Sequence, residues 1–278
     1  MRIARYAVAD AIQFGIVELA EDAGEHPDSV AAVSGDPLAG PVTYTGERHL
    51  LSDVRLLAPV IPRSKVIGIG RNYAAHAAEL GNEVPDQPLM FFKPNTSVIG
   101  PGEAIVYPST TENLHYEGEL AVVIGRIARD VPVERVPEVI FGYTVANDVT
   151  ARDLQKADGQ WARAKGYDTF CPVGPWVVTH LSLEEASDLQ VTTRLDDQVV
   201  QDGSTALMVR GIAELVSHVS SFTTLLPGDL ILTGTPEGVG PMTPGQRIEV
   251  EISGIGALSN VVVAEQGDEQ GEASGAGA

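Results

Sequence analysis

Hydrophobic and polar positions alternate most clearly over His115–Gly125, where Leu120, Val122 and Ile124 interleave with Glu119, Ala121 and Val123 and the run closes at Gly125. A period of two predicts a β-strand. Residues two apart then share a face, so Glu117 and Glu119 project the same way with only Gly118 between them. Like charges side by side repel, and a divalent cation offsets them best. Carboxylate oxygens are hard ligands suited to Mg²⁺, Mn²⁺ or Ca²⁺ rather than to zinc. A solvated edge pair is the simpler alternative.

Further apolar runs predict buried strands at Lys65–Gly70, Val139–Asp148 and Asp229–Leu232. The second of these ends on Asp148, where it would deliver a carboxylate to a cleft. Leu189–Leu195 and Gln198–Gln201 predict a hairpin around Asp196-Asp197. Ile212, Leu215, Val216 and Val219 have helical spacing and read as core. Ser182-Leu183-Glu184-Glu185 predicts a capping box, and Thr150-Ala151-Arg152-Asp153 predicts a second one, capped by Thr150 with Arg152 and Gln155 on the first turn. Residues 1–62 alternate short apolar runs with turns and predict a small β-rich N-terminal domain, linked through Ala58-Pro59-Val60-Ile61-Pro62. His26 and His49 in this section are expected in solvent. The catalytic unit is expected over 63–264, and residues 265–278 as a flexible tail. The fold class is strand-rich α+β with few short helices.

Composition narrows the function. The chain has 278 residues, 44% of them hydrophobic, and a formal charge of −20. That charge argues against nucleic acid and anionic membranes as partners. No run is long enough to span a membrane and no signal-peptide core follows Met1, so a cytoplasmic enzyme is expected. The single cysteine, Cys171, excludes an internal disulfide framework and a cysteine zinc site. Between Phe170 and Pro172 it reads as packing rather than as a nucleophile.

The strand Lys65–Gly70 leads into Arg71–Gly81, whose alanines and closing glycine predict a short helix. Strand, glycines and helix suggest a dinucleotide fingerprint. Tyr73 occupies the third glycine position, and Gln87-Pro88 rather than an acid occupy the position about 20 residues on, so that reading is rejected. His76 and Glu79 lie three apart on the helix and can hydrogen-bond, as a base and its orienting carboxylate do. A surface pair is the plain alternative. The loop 81–88 that follows could hinge a lid. Lys165 lies in a loop between Trp161 and Pro172. Thr233–Gly240 is glycine-rich but lacks the Gly-Lys-Ser/Thr of a Walker loop.

Taken together, Gly70-Arg71-Asn72-Tyr73 with His76, Phe92-Lys93-Pro94, His115–Leu120, Asn147–Asp153, the Lys165 loop and Thr233–Gly240 resemble the fumarylacetoacetate hydrolase family. They follow the family's order over about residues 63–264. The resemblance implies a roll of mixed β-sheets, usually dimeric, with Glu117, Glu119 and Asp148 holding Mg²⁺ or Mn²⁺, Ca²⁺ being a further possibility. It implies that His76 and Glu79 activate water on a lid, that Lys165 stabilises an oxyanion, and that Arg152, Gln155 and Thr235 hold substrate. Thr169 is expected near the metal ligands, and His115 in a structural role beside them. The implied activity is on 2-oxo (enol) acids through a metal-stabilised enolate, with C–C hydrolysis of an acylpyruvate- or fumarylpyruvate-type substrate leading. Isomerisation of a 2-hydroxyhepta-2,4-diene-1,7-dioate and decarboxylation or tautomerisation of oxaloacetate fit the same site. A non-catalytic ligand-binding protein is the alternative of another class.

Overall fold

The alternation at 118–124 sorts into two cores. In the computed structural model, which describes residues 1–20 and 26–266, the strand Gly118–Ile124 is buried at every position. Leu120, Val122 and Ile124 pack into one cluster with Val191, Leu215, Val250 and Ile252. Ala121 and Val123 pack on the other face with Ala146, Cys171, Val173 and Leu230. A strand covered on both faces needs apolar residues at both parities, which explains why the polar partners in the alternation are so few.

This strand is central to a twelve-stranded sheet. Along the sheet run Tyr44–Leu50, Ser29–Val33, Ala11–Glu18, Arg2–Val8, Cys171–Val178, Ile140–Asn147, Gly118–Ile124, Leu230–Leu232, Val66–Gly70 and Leu89–Lys93. Arg55–Leu57 and Val98–Ile99 pair off this path. Neighbours along the path are antiparallel except Leu230–Leu232 and Val66–Gly70, which run parallel. A five-stranded sheet (Gln198–Ser204, Gln190–Leu195, Arg247–Ile252, Gly256–Ala264, Ile105–Tyr107) packs against it. A three-stranded sheet (Thr150–Ala151, Leu114–Tyr116, Gly240–Pro241) completes the strand-rich architecture.

The first 62 residues contribute five strands, and Arg2–Val8 pairs with Cys171–Val178 in the register Arg2↔Val178 and Ile3↔Val177. The main sheet is thus continuous across the linker. His26 is exposed, whereas His49 is half-buried with its ring edge-on to Tyr6 at 5.9 Å. The hydroxyl-bearing ring of Tyr6 gives it an apolar seat that the sequence pattern does not reveal.

The predicted helix at 212 forms over Ile212–Phe222 and buries Ile212, Leu215, Val216 and Val219. Ser182 makes the expected capping box with Glu185, and Asp196 and Asp197 form the hairpin turn with positive φ at both. Thr150 does not cap a helix. It lies in the strand Thr150–Ala151, and the helix Arg152–Asp158 starts from Ala151 without a side-chain cap. Lys165 is not in a loop but on the short helix Ala162–Gly166. Among the described residues no helix is long and apolar enough to cross a membrane. The expected tail lies outside the described residues from 267 onward. Glu265, at its start, accepts from Ser109 N at 2.7 Å.

Because Leu120 is fully buried in the larger core, Leu120→Ala should destabilise the protein by about 2–5 kcal/mol in urea unfolding. A loss below about 1 kcal/mol would mean the strand does not organise that core.

Candidate active site

Two strand ends bring the acids together. The antiparallel register pairs Gly118 with Asn147, so Glu117, just before one strand, and Asp148, just after the other, become neighbours. Asp148 N donates to Glu117 O at 2.8 Å, and Glu117 N donates to the Asn147 side chain at 3.0 Å. Glu119 follows two residues on and faces the same way. The three carboxylates are almost wholly buried, and one ligand oxygen from each lies within 4.8 Å of the others.

Buried carboxylates need counter-charge. Lys165 Nζ donates to Glu117 Oε2 at 2.8 Å and Asp148 Oδ2 at 2.6 Å. Arg152 pairs with Glu117 Oε1, and Lys93 Nζ, itself buried, donates to Asp148 Oδ1 at 2.6 Å. Glu119 has no such partner among the described residues. Its carboxylate accepts from Gly234 N at 2.7 Å. Burial, followed by the Asp148 and Glu117 charges, raises its pKa well above the ordinary value. Burial pulls Glu117 the same way, but the Lys165 and Arg152 charges win and hold it below the carboxylate range.

Glu119 is the observation that tests whether a cation fits. It is a buried carboxylate with one N–H donor among the described residues, and a divalent ion at the triad would supply its missing charge. The donor set is all oxygen, as Mg²⁺, Mn²⁺ and Ca²⁺ prefer. The residues present fit such an ion.

All nine site residues singled out from the sequence line one cavity of about 410 Å³. His76 is buried on the helix Ala74–Glu79, with Nδ1 at 3.4 Å from Glu79 Oε2. Gly238 N donates to the Glu79 carboxylate at 3.1 and 3.3 Å. The loop 233–240 therefore supplies one backbone N–H to Glu119 and another to the His76–Glu79 pair. Glycine is required at 238: φ is +95°, and a Cβ would meet Val200 O at 2.1 Å. Arg152 Nη1 donates to Gln155 Oε1 at 2.7 Å, so Arg152 is shared between Gln155 and Glu117. Thr235 Oγ1 donates to Gly118 O at 2.9 Å.

Sequence reasoning missed three parts of the site. Lys93 was visible only as a motif residue, and its burial at the strand's end would have been the clue. Gln201 accepts from Gly118 N at 3.0 Å and donates to Thr235 Oγ1 at 2.8 Å. No signal in its hairpin marks it out. Phe91 and Trp161 form an apolar wall, with ring centroids 5.4 Å apart, and Lys165 Nζ lies 4.9 Å from the Phe91 centroid. Thr169 is not beside the acids in hydrogen-bonding terms: its hydroxyl accepts from Val106 N at 2.9 Å. Thr150 is the threonine there, with Oγ1 at 3.3 Å from Glu117 Oε1. His115 Nε2 pairs with Asn113 at 2.9 Å, and burial followed by the Arg152 charge pushes its pKa down to about 4. Burial pushes the Cys171 thiol up to about 12, so it is packing rather than a nucleophile.

The raised pKa of Glu119 has a definite sign in stability. Its favourable contribution is complete below the ordinary glutamate value of 4.5 and is lost as pH rises through the folded value. Glu117 has the opposite sign and matters only below 4.5. In EDTA, unfolding free energy should therefore fall as pH rises above that range, and Glu119→Gln should flatten the fall. Added Mg²⁺ or Mn²⁺ should stabilise the wild type and leave Glu119→Gln nearly unmoved. Equal pH profiles for the two proteins would show that Glu119 carries no unbalanced charge.

The family model described as fumarylacetoacetate (FAA) hydrolase C-terminal matches residues 65–263, and that described as Rv2993c-like, N-terminal matches residues 1–59. The crystal structure of 5-carboxymethyl-2-hydroxymuconate delta-isomerase from Mycobacterium smegmatis is 47% identical, with a TM-score of 0.86 over 95% of this chain and 100% of that one. Oxaloacetate tautomerase FAHD1 of Oryza sativa subsp. japonica, described as mitochondrial, is 46% identical over 208 residues, 72% of this chain and 90% of the rice protein. Fumarylpyruvate hydrolase from Pseudomonas aeruginosa, in complex with Mn²⁺ and pyruvate, is 37% identical, with a TM-score of 0.69 over 75% of this chain and 91% of that one. The chain belongs to the fumarylacetoacetate hydrolase family.

Proposed function

We propose that this protein is an Mg²⁺- or Mn²⁺-dependent enzyme acting on 2-oxo (enol) acids, with C–C hydrolysis of an acylpyruvate-type substrate as its leading reaction. The observation that carries the proposal is the convergence of a buried acid triad, a buried lysine and a His–Glu pair on one cavity. The Mn²⁺ and pyruvate held by the Pseudomonas hydrolase support the metal and the ligand class. Glu117, Glu119 and Asp148 would hold the ion, which when bound supplies Lewis-acid charge for the acid's carboxylate and 2-oxo oxygens.

The chain's own residues do the rest. His76, oriented by Glu79, takes a proton from water, and the resulting hydroxide adds to the distal carbonyl. The C3–C4 bond then breaks, leaving its electron pair on the 2-oxo acid fragment as an enolate. The acyl fragment departs as a carboxylic acid, and a proton returned to C3 completes the balance. The Lys165 ammonium offsets the charge that develops. Arg152, Gln155 and Thr235 hold the acid. Segment 71–88, which brings His76 and Glu79 to the cavity, acts as a lid. The homodimer implied by the resemblance and the cytoplasmic location expected from the sequence belong to this proposal too.

A second reading is favoured by one observation. His76 is only 6% exposed, which suits direct proton transfer at C3 of the substrate without an intervening water. That is keto–enol tautomerisation, and the rice relative supports it.

The test measures acetylpyruvate cleavage and oxaloacetate keto–enol exchange, each with Mg²⁺ and with EDTA. His76→Ala should lower cleavage kcat/KM by about 10²–10⁴-fold, and Lys165→Ala should impair both reactions. Intact cleavage in His76→Ala would remove the base assignment. Exchange without cleavage in the wild type would make tautomerisation the reaction. No metal-dependent turnover of either substrate would favour a ligand-binding protein. For the lid, hydrogen exchange over 71–88 should slow when Mg²⁺ and oxalate are added, and equal rates would count against it.

A further inference from the structure

A second cavity lies where the N-terminal section meets the catalytic unit. Its volume is about 400 Å³, close to the 410 Å³ of the candidate active site, and the two share no lining residue. Both volumes fall within the usual range of small-molecule sites. Arg5, Phe14 and Leu38 line it from the N-terminal section, Val60 and Ile61 from the linker, and Gly228 from the turn before Leu230–Leu232.

We propose that this seam cavity binds a small organic monocarboxylate with an apolar body, its carboxylate resting on Arg5. It stands apart from the function proposed above.

Charge identifies one end of the ligand. Arg5 is half-buried, and its guanidinium makes no hydrogen bond or ion pair with any described residue. Surface arginines elsewhere find carboxylates, as Arg135 does with Glu138 and Arg163 with Asp158. The acids near Arg5 are engaged already. Asp36 pairs with Arg63 at 3.1 Å and accepts from Leu38 N at 2.9 Å. Glu103 accepts from Gly100 N at 2.6 Å and stands 3.7 Å from Arg55. Burial lowers the Arg5 pKa by more than the Glu103 charge raises it, so that distant acid does not balance the cation. Asp36 and Arg63 cancel within the cavity, and Arg5 leaves a single net positive charge. One carboxylate matches it better than a doubly charged phosphate.

The walls identify the other end. Arg5 shares its strand face with Ile3, which packs on Ile16, Val33 and Phe14. Its register partners are Phe14 on one side and Leu57 on the other. The guanidinium thus emerges from apolar surroundings, where its attraction for an anion is screened less than in water. At Gly228 an added Cβ would stand 3.5 Å from Val60 and 3.6 Å from Leu38, so this end is lined by aliphatic carbon. Ile61 is 57% exposed, an apolar side chain that a ligand's body would cover. Gly228 N donates to Ile124 O at 2.8 Å, and Leu230–Leu232 leads from this turn to the Thr233–Gly240 loop. The occupant would sit at the far end of the strand that carries that loop.

The test is methyl NMR on the full chain, titrated with phenylacetate and with its neutral isostere phenylacetamide. Phenylacetate should shift the Leu38, Val60 and Ile61 methyl resonances saturably, and bind there about tenfold more tightly than the amide. Arg5→Met keeps the apolar stem and should lose that preference while still binding the amide, and Arg5→Lys should keep part of it. Ala39→Trp, at an exposed position on the cavity wall, should block both ligands, and it keeps the test decisive if Arg5→Met misfolds. Equal binding of acid and amide, an undiminished preference in Arg5→Met, or unblocked binding in Ala39→Trp overturns the site. Shifts confined to Ile69 and Leu80, which line the catalytic cavity, overturn it as well. So does a dilution series in which the seam methyls follow self-association of the chain rather than ligand.

Discussion

The site depends on the pairing of Gly118 with Asn147. That register brings Glu117 and Asp148, which would repel in isolation, into adjoining buried positions at the ends of two paired strands. Three carboxylates confined there can persist only with compensating charge. Lys93, Lys165 and Arg152 provide it for Glu117 and Asp148, and among the described residues leave Glu119 without a cation of its own. A buried ion network of this kind stabilises a fold weakly at best. Its cost is borne by the apolar packing on both faces of Gly118–Ile124. The chemistry is thus built at the end of a strand buried at every position, where little can relax away from the ligand geometry.

The glycine-rich loop joins this charged centre to the proposed base. Gly234 N holds Glu119, and Gly238 N holds Glu79, which in turn contacts His76. Gln201 fixes the loop from the five-stranded sheet by bonding Thr235, Pro236 O and Gly118 N together. Arg210 ties the far end of segment 71–88 by donating to the carbonyls of Pro85 and Asp86. Parts of the chain more than a hundred residues apart therefore meet around one cavity through backbone hydrogen bonds. Side chains that look unrelated in sequence share their supports.

Much of this was legible without coordinates. Period-two patterning located the strand Gly118–Ile124, because side-chain parity is a local property of extended chain, but the run expected as one strand over His115–Gly125 breaks at Glu117, where Leu114–Tyr116 leaves for the three-stranded sheet. Helical spacing found Ile212–Phe222 and the His76–Glu79 pair for the same reason. Family motifs collected nine residues that line one cavity. Local rules failed where a long-range contact competed with them. Thr150 looks like a helix cap, but its segment pairs with Leu114–Tyr116 and its hydroxyl turns toward the acids. Lys165 looks like loop, but its turn is helical and buried under the carboxylates. Thr169 is close to Lys165 in sequence, yet bonds Val106 instead.

What the sequence determined by itself was the central buried strands, the helix Ile212–Phe222, the short helix that carries His76 and Glu79, the acid pair and the family. Each follows from periodicity or from residues in a fixed order. What only the tertiary structure decided was which charges balance. Lys93 and Gln201 joined the site, and among the described residues Glu119 was left without a paired cation. Charge balance depends on distances between groups far apart along the chain and on exclusion of water from between them. Neither is written in the local pattern of residues, since both arise when the sheets close.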